Sequence, residues 1–176
     1  MKSVLCLAGS LRAEASSRAV VDTICDRLSG EARFTRFDIG TLPHYNADLD
    51  PLPDTVTALK QAVAEADGVI IVTPEYNYSV PGVLKNAIDW ASRPGYNSVF
   101  KDKPVFVASV SGGALGGVRA QMHLKTVLGA LLAKTFAWQE VVITNAPSKV
   151  KDGRLADEAT EAFLFEAVRA FFKSIG

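Results

Sequence analysis

Three short stretches carry residue types and spacings that could do chemistry. The first, residues 9–17, reads Gly-Ser-Leu-Arg-Ala-Glu-Ala-Ser-Ser, between an apolar run and a helical pattern. A helix N-terminus offers unpaired N–H groups and a partial positive charge. With the hydroxyls of Ser10, Ser16 and Ser17 and the guanidinium of Arg12, such a loop suits a phosphate. Plainer roles also fit: Ser17 as a helix N-cap, Arg12 as a solvated charge. The stretch is neither a Walker loop, since no Gly-Lys-Ser/Thr follows, nor the three-glycine dinucleotide fingerprint. The second stretch, Pro74-Glu75-Tyr76-Asn77-Tyr78-Ser79, sets two aromatic rings and a carboxylate on a turn. Tyr76 and Tyr78 would flank a flat ligand, or simply pack the turn. The third, Ser111-Gly112-Gly113-Ala114-Leu115-Gly116-Gly117, lets the backbone come close to a flat group and aim N–H groups at it. A flexible turn without a ligand would use the same glycines.

Other chemistries lack their parts. No His/Cys cluster has metal-ligand spacing. A nucleophile elbow is absent, because Ser109 stands where the first Gly of Gly-x-Ser-x-Gly should be. His44, in a proline-rich loop, has no evident partner for acid catalysis. Glu75 could donate a proton, but shaping its own loop is the better role. Cys6 and Cys25 fall on apolar positions and read as small buried hydrophobes rather than a disulfide. The formal net charge is +0 and no basic run occurs, which argues against nucleic acid and anionic membranes. No apolar stretch approaches a membrane span and the N-terminal run is short for a signal peptide, so the cytoplasm is the expected compartment.

The run Pro-Glu-Tyr-Asn-Tyr-Ser-Val-Pro-Gly-Val-Leu-Lys-Asn-Ala-Ile-Asp-Trp, residues 74–90, closely resembles the signature of the NAD(P)H-dependent FMN reductases, which include quinone, azo and chromate reductases. Gly9-Ser10-Leu11-Arg12 matches the loop that holds the flavin phosphate in that family. Ala15 departs from it, since many members have Ser there, and either Ser16 or Ser17 would supply the missing donor. The resemblance implies that Pro74, Glu75, Tyr76, Asn77 and Tyr78 contact the isoalloxazine, and that Ser111, Gly112, Gly113 and Gly116 touch its other edge. It implies FMN as cofactor, NADPH or NADH as cosubstrate, and a quinone, azo compound, flavin or metal oxyanion as acceptor. It also implies a homodimer or homotetramer with flavin near the interface. A flavodoxin-type electron carrier is the alternative, although this chain is neutral where such a carrier would be acidic.

The surrounding elements must bring the three stretches together. Residues 3–8, 69–73 and 105–110 are apolar runs fit for strands buried on both faces. Residues 33–39 alternate, as a half-covered strand does, and 136–144 hold a fifth strand, clearest at 141–143. Helical stripes are predicted from about Ser17 to Ser29, from an Asp54 cap to Ala66, from Ser79 and Pro81 through Ala91, over 118–133, and from an Asp157 cap to the end, with Phe163, Ala167, Val168, Phe171 and Phe172 facing the sheet. The helix at 118–133 is apolar on more than one side, which suits contact with a second subunit. Residues 145–154 read as a polar loop. This alternation argues one α/β domain over residues 1–176, a flavodoxin-like, doubly wound five-stranded parallel sheet of order 2-1-3-4-5 with helices on both faces. In that order the loops after strands one, three and four meet at the switch point, and these are the three stretches singled out above.

Overall fold

The structure, a computed structural model, describes residues 1–176. The chain opens with β1 (Lys2–Ala8), α1 (Ser16–Arg27) and β2 (Ala32–Arg36), then a single 3-10 turn at Ile39–Thr41. It continues through α2 (Asp54–Glu65), β3 (Gly68–Pro74), α3 (Gly82–Ala91), β4 (Pro104–Val110) and α4 (Val118–Ala130). The last part holds β5 (Lys134–Thr135), β6 (Val141–Ile143), α5 (Ala146–Lys149), a hairpin of β7 (Val150–Lys151) and β8 (Arg154–Leu155), and α6 (Glu158–Ser174). The main sheet is parallel in the order β2-β1-β3-β4-β5, with β6 also paired to β4. This is the flavodoxin-like order that the alternating pattern predicts.

Two-sided burial explains the apolar strands. In β1, Val4 and Cys6 join Val20, Ile24, Val168 and Phe171 in a core beneath α1 and α6. Leu5 and Leu7 join Val56, Leu59, Leu84 and Ile88 in a second core beneath α2 and α3. The same alternation runs through β3, where Ile70 and Val72 serve the first core and Val69 and Ile71 the second. Successive strand residues point to opposite faces, so a strand covered by helices on both sides must be apolar throughout.

Several element ends differ from the sequence reading, each for a local reason. The N-cap of α1 is Ala15, and Ser17 is the second helical residue with no capping bond. Pro53 occupies the N-cap of α2 and Pro81 that of α3, so Asp54 and Gly82 are the first helical residues. The α4 helix ends at Ala130, because Leu132 takes a left-handed φ of 60°. The fifth strand position is filled by two short segments, β5 and β6. Between them, Phe136 and Trp138 stack with ring centroids 5.8 Å apart, and Phe136 packs on Phe171, so the rings displace regular pairing. The segment 145–154, expected as a loop, folds into α5 and the β7–β8 hairpin. The Leu155 amide donates to the buried hydroxyl of Thr23 at 2.9 Å, which seats that hairpin on α1. Asp157 does cap α6, accepting from the Thr160 amide at 3.0 Å. Phe163 turns outward, 37% exposed, and Leu164 takes the core position instead.

Phe171 is fully buried and meets Phe106, Phe136 and Phe172. Phe171→Ala is expected to lower unfolding free energy by roughly 3–5 kcal/mol, read as an earlier urea midpoint with little change in slope.

Candidate functional site

The carboxyl ends of β1, β3 and β4 place residues 9–15, 75–81 and 111–117 side by side. Gly9 continues the ladder, donating its amide to Val72 O at 2.9 Å. A Cβ there would sit 2.9 Å from the Pro74 ring, so only glycine lets the first loop lie this close to the second. Ser10, 2% exposed, shares a 2.8 Å hydrogen bond with the Tyr76 hydroxyl, which ties the two loops together. The Ser10 hydroxyl also accepts from the Arg12 amide at 3.3 Å. Arg12 is exposed and stands apart from the ion-paired arginines, which are Arg18, Arg36, Arg119, Arg154 and Arg169.

The opening turn of α1 carries the clearest ligand signal. Its N-cap alanine offers no side-chain oxygen to the free amides of that turn. Ser17 is 1% exposed, yet its Oγ has no hydrogen-bond partner. A buried hydroxyl left alone costs about 1–3 kcal/mol. Free amides, an orphan hydroxyl and an unpaired guanidinium at one helix start form a donor set that fits a phosphate.

The second loop is a tight two-residue turn. Tyr76 and Ser79 exchange both backbone hydrogen bonds, at 3.1 and 3.0 Å. The central residues Asn77 and Tyr78 have φ of 49° and 66°. Asn tolerates this left-handed region, whereas a tyrosine there is strained. Neighbouring contacts hold the turn in place. The Arg119 guanidinium lies 4.4 Å from the centre of the Tyr78 ring, and the Ser79 hydroxyl is 3.0 Å from His123 Nδ1.

Glu75 acts as an acceptor that docks this turn on α4. Its carboxylate receives the Arg119 amide at 3.0 Å, the Ala120 amide at 3.3 Å and the Arg119 side chain at 3.2 Å. Gly117, the N-cap of α4, has no side chain to do this, so Glu75 caps the helix from another loop. This is the loop-shaping role rather than the proton-donor role weighed from the sequence.

The third loop divides its residues. Ser111 and Gly112 face the other two loops. Gly113 donates its amide to Ser111 Oγ at 3.0 Å and accepts from the Asn145 amide at 3.2 Å, which anchors the loop on the segment before α5. Gly116, with φ of 55°, is buried against β6, and a Cβ there would clash with the Val142 side chain. Its amide is taken by Gly113 O at 3.3 Å. Gly116 therefore serves loop packing, away from the position the sequence reading gave it.

Ser10, Arg12, Ser16, Ser17, Pro74, Glu75, Tyr76, Ser111 and Gly112 line one cavity of about 140 Å³. Asn77 and Tyr78, exposed at the tip of the adjoining turn, do not line it. A wider groove of about 810 Å³ shares Arg12, Ser16 and Gly112 with it and runs toward the β7–β8 hairpin. Arg119 and His123 contact that turn from α4, which sequence reasoning did not assign. Their only signal was position at the start of the helix after the glycine loop.

A 2-1-3-4-5 parallel sheet, with an anion cradle after its first strand and an aromatic turn after its third, defines the flavodoxin-like nucleotide-binding class. Within that class the chain belongs to the NADPH-dependent FMN reductase family, whose profile matches residues 2–148. It is accordingly an oxidoreductase that works with FMN and NAD(P)H. It is 40% identical over 158 residues to a 2-hydroxy-1,4-benzoquinone reductase of a Burkholderia species, covering 89% of this chain and 86% of that one. A quinone reductase of Escherichia coli K12 is 38% identical over 174 residues, covering 96% of this chain and 92% of the relative. Among solved structures it superposes on FerB, a flavoenzyme NAD(P)H:(acceptor) oxidoreductase from Paracoccus denitrificans, with a TM-score of 0.90 and 37% identity over 99% of this chain and 97% of that one.

If Glu75 caps α4, Glu75→Ala should cost about 1–2 kcal/mol, while Glu75→Gln, which keeps one acceptor oxygen, should cost less. Urea titration of both variants would show this order, and equal losses would remove the capping role.

Proposed function

We propose that the cradle at the start of α1 binds the FMN phosphate, that the Tyr76–Tyr78 turn and Gly112 edge the flavin ring, and that the acceptor is a quinone. The observation that carries the reading is the orphaned hydroxyl of Ser17 beside the unpaired Arg12, at a helix start whose cap residue is alanine. A cavity of about 140 Å³ is too small for a whole flavin nucleotide. It suits the phosphate end, with the ring lying along the open rim, since sites that enclose a drug-sized ligand run to roughly 300–1,000 Å³.

When bound, FMN supplies the two-electron chemistry that links a nicotinamide to the acceptor. The protein contributes position and charge. Arg12, Ser16 and Ser17 hold the phosphate. Tyr76, fixed by Ser10, sets the height of the rim. Arg119 is 41% exposed there and offers a positive charge to an acceptor that carries ionised oxygens, such as a hydroxyquinone. The balance is NAD(P)H, a proton and quinone giving NAD(P)⁺ and hydroquinone, with the proton drawn from water at the exposed rim. The name of the Burkholderia relative supports this acceptor class.

In this reading residues 1–176 form one FMN-binding unit that works in the cytoplasm as a homodimer or homotetramer. Support for self-association comes from the apolar groups left bare near the rim. Met122 on α4 is 58% exposed, Leu115 53% and Tyr78 67%, whereas Ala120, Gln121, Leu124 and Leu128 turn into the fold. Met122→Glu is expected to lower the sedimentation coefficient toward the monomer value. An unchanged value would place the contact elsewhere.

The test of function is a visible spectrum. Protein mixed with FMN should retain flavin absorbance through desalting, bleach with NADPH or NADH under anaerobic conditions, and recover on adding a benzoquinone. Bleaching without recovery would reject the quinone acceptor. Arg12→Ala should weaken FMN binding roughly ten- to a hundredfold, the value of one charge-assisted hydrogen bond, with the circular dichroism spectrum unchanged. Unaltered FMN affinity would move the phosphate out of this cradle.

A further inference from the structure

The two cysteines lie outside everything assigned above. Cys6 sits on β1 and Cys25 on α1, 1% and 4% exposed, in the core that β1 shares with α1. Both are free thiols, and their sulfur atoms are 3.8 Å apart. A separate cavity of about 240 Å³ reaches Cys6, and Cys25 is not part of its wall. Cys6, Val21 and Asp22 form part of its wall, and half-exposed Arg36 brings it to the surface. Ser10 lines both this cavity and the phosphate cradle, so the two cavities share a wall residue. The contact with Cys6 lowers the Cys25 thiol below the ordinary cysteine value, burial opposes this, and the charge of Arg36 adds to the lowering. The contact with Cys25 and burial push Cys6 upward. Cys25 is thereby the better placed of the two to attack an oxidised Cys6.

We propose that Cys6 and Cys25 form a peroxide-sensitive dithiol whose closure to a disulfide loosens the phosphate cradle. The coupling to FMN rests on the function proposed above; the dithiol chemistry does not. The oxidant is hydrogen peroxide, which a bound reduced flavin would supply on giving its electrons to dioxygen. The Cys6 sulfur, which lines the cavity, attacks one peroxide oxygen, the O–O bond breaks, and the departing hydroxide takes the Cys6 proton as water, leaving a sulfenic acid on Cys6. The Cys25 sulfur then attacks that sulfur, an S–S bond forms, and water departs with the Cys25 proton. Two thiols and one peroxide give one disulfide and two waters. Sulfurs 3.8 Å apart must close to about 2.05 Å, which draws α1 against β1. Residues 9–15 bridge those two elements and carry Ser10 and Arg12, so a close-packed interior passes the shift into the cradle.

The test treats purified protein with a few equivalents of hydrogen peroxide, removes the excess with catalase, denatures, alkylates and maps peptides by mass. The expected product is a Cys6–Cys25 linked peptide, two hydrogens lighter, that dithiothreitol reverses. Two alkylated cysteines, or oxygen adducts without the link, would overturn the dithiol. FMN titration then compares oxidised protein, the same sample after dithiothreitol, and peroxide-treated Cys25→Ala. A several-fold loss of affinity in the first alone supports the coupling, and equal affinities overturn it. Protein that binds no FMN in any state would overturn the proposed function and the coupling with it, while the linked peptide would still establish the dithiol.

Discussion

The site depends on the Glu75 carboxylate lying against the amides that open α4. The last residues of β3 lead into a turn, and that turn is anchored to a helix more than forty positions later by three hydrogen bonds to one side chain. An acidic group at a helix N-terminus is favoured by both the free amides and the helix dipole. Here it also removes a degree of freedom, because the turn cannot shift without uncapping the helix. The Ser10–Tyr76 hydrogen bond extends the same tie to the first loop. Three loops from distant parts of the chain therefore behave as one rigid edge.

This rigidity makes the strained turn possible. Asn77 and Tyr78 both hold left-handed backbone angles. A two-residue turn of this hand matches the twist of paired strands, and Asn-Gly would be the relaxed choice. Tyr at the second position costs conformational energy, and the surroundings offset it: paired backbone bonds on each side, Arg119 against the Tyr78 ring, and His123 beside Ser79. Strain kept in a turn beside the small cavity, rather than at a random surface turn, is what a ring-positioning group would require.

Much of this was legible in the chain. Strands buried on both faces must be apolar at every position, so residues 69–73 and 105–110 announce themselves. The helices between them carry stripes at helical spacing, and the order of elements leaves few topologies for a parallel sheet with right-handed crossovers. The three loops stood out because hydroxyls, aromatic rings and glycines clustered where strands end. The fifth strand was only half legible. Packing of Phe136 on Phe171, with Trp138 stacked on Phe136, interrupts it, and a contact between Phe136 and Phe171, so far apart in the chain, has no local sequence mark.

By itself the sequence determined the alternation of strand and helix, the two-faced sheet and the identity of the three loops, because these follow from local periodicity and residue chemistry. Tertiary structure decided which atoms of those loops face the cavity. It turned Gly116 toward Val142 and away from the other loops, left the Ser17 hydroxyl buried without a partner, gave Glu75 to the α4 amides, and brought Arg119 over Tyr78. It also set Cys6 and Cys25 in contact. Each of these depends on distances between residues far apart in the chain, and such distances are fixed only when the helices pack against the sheet.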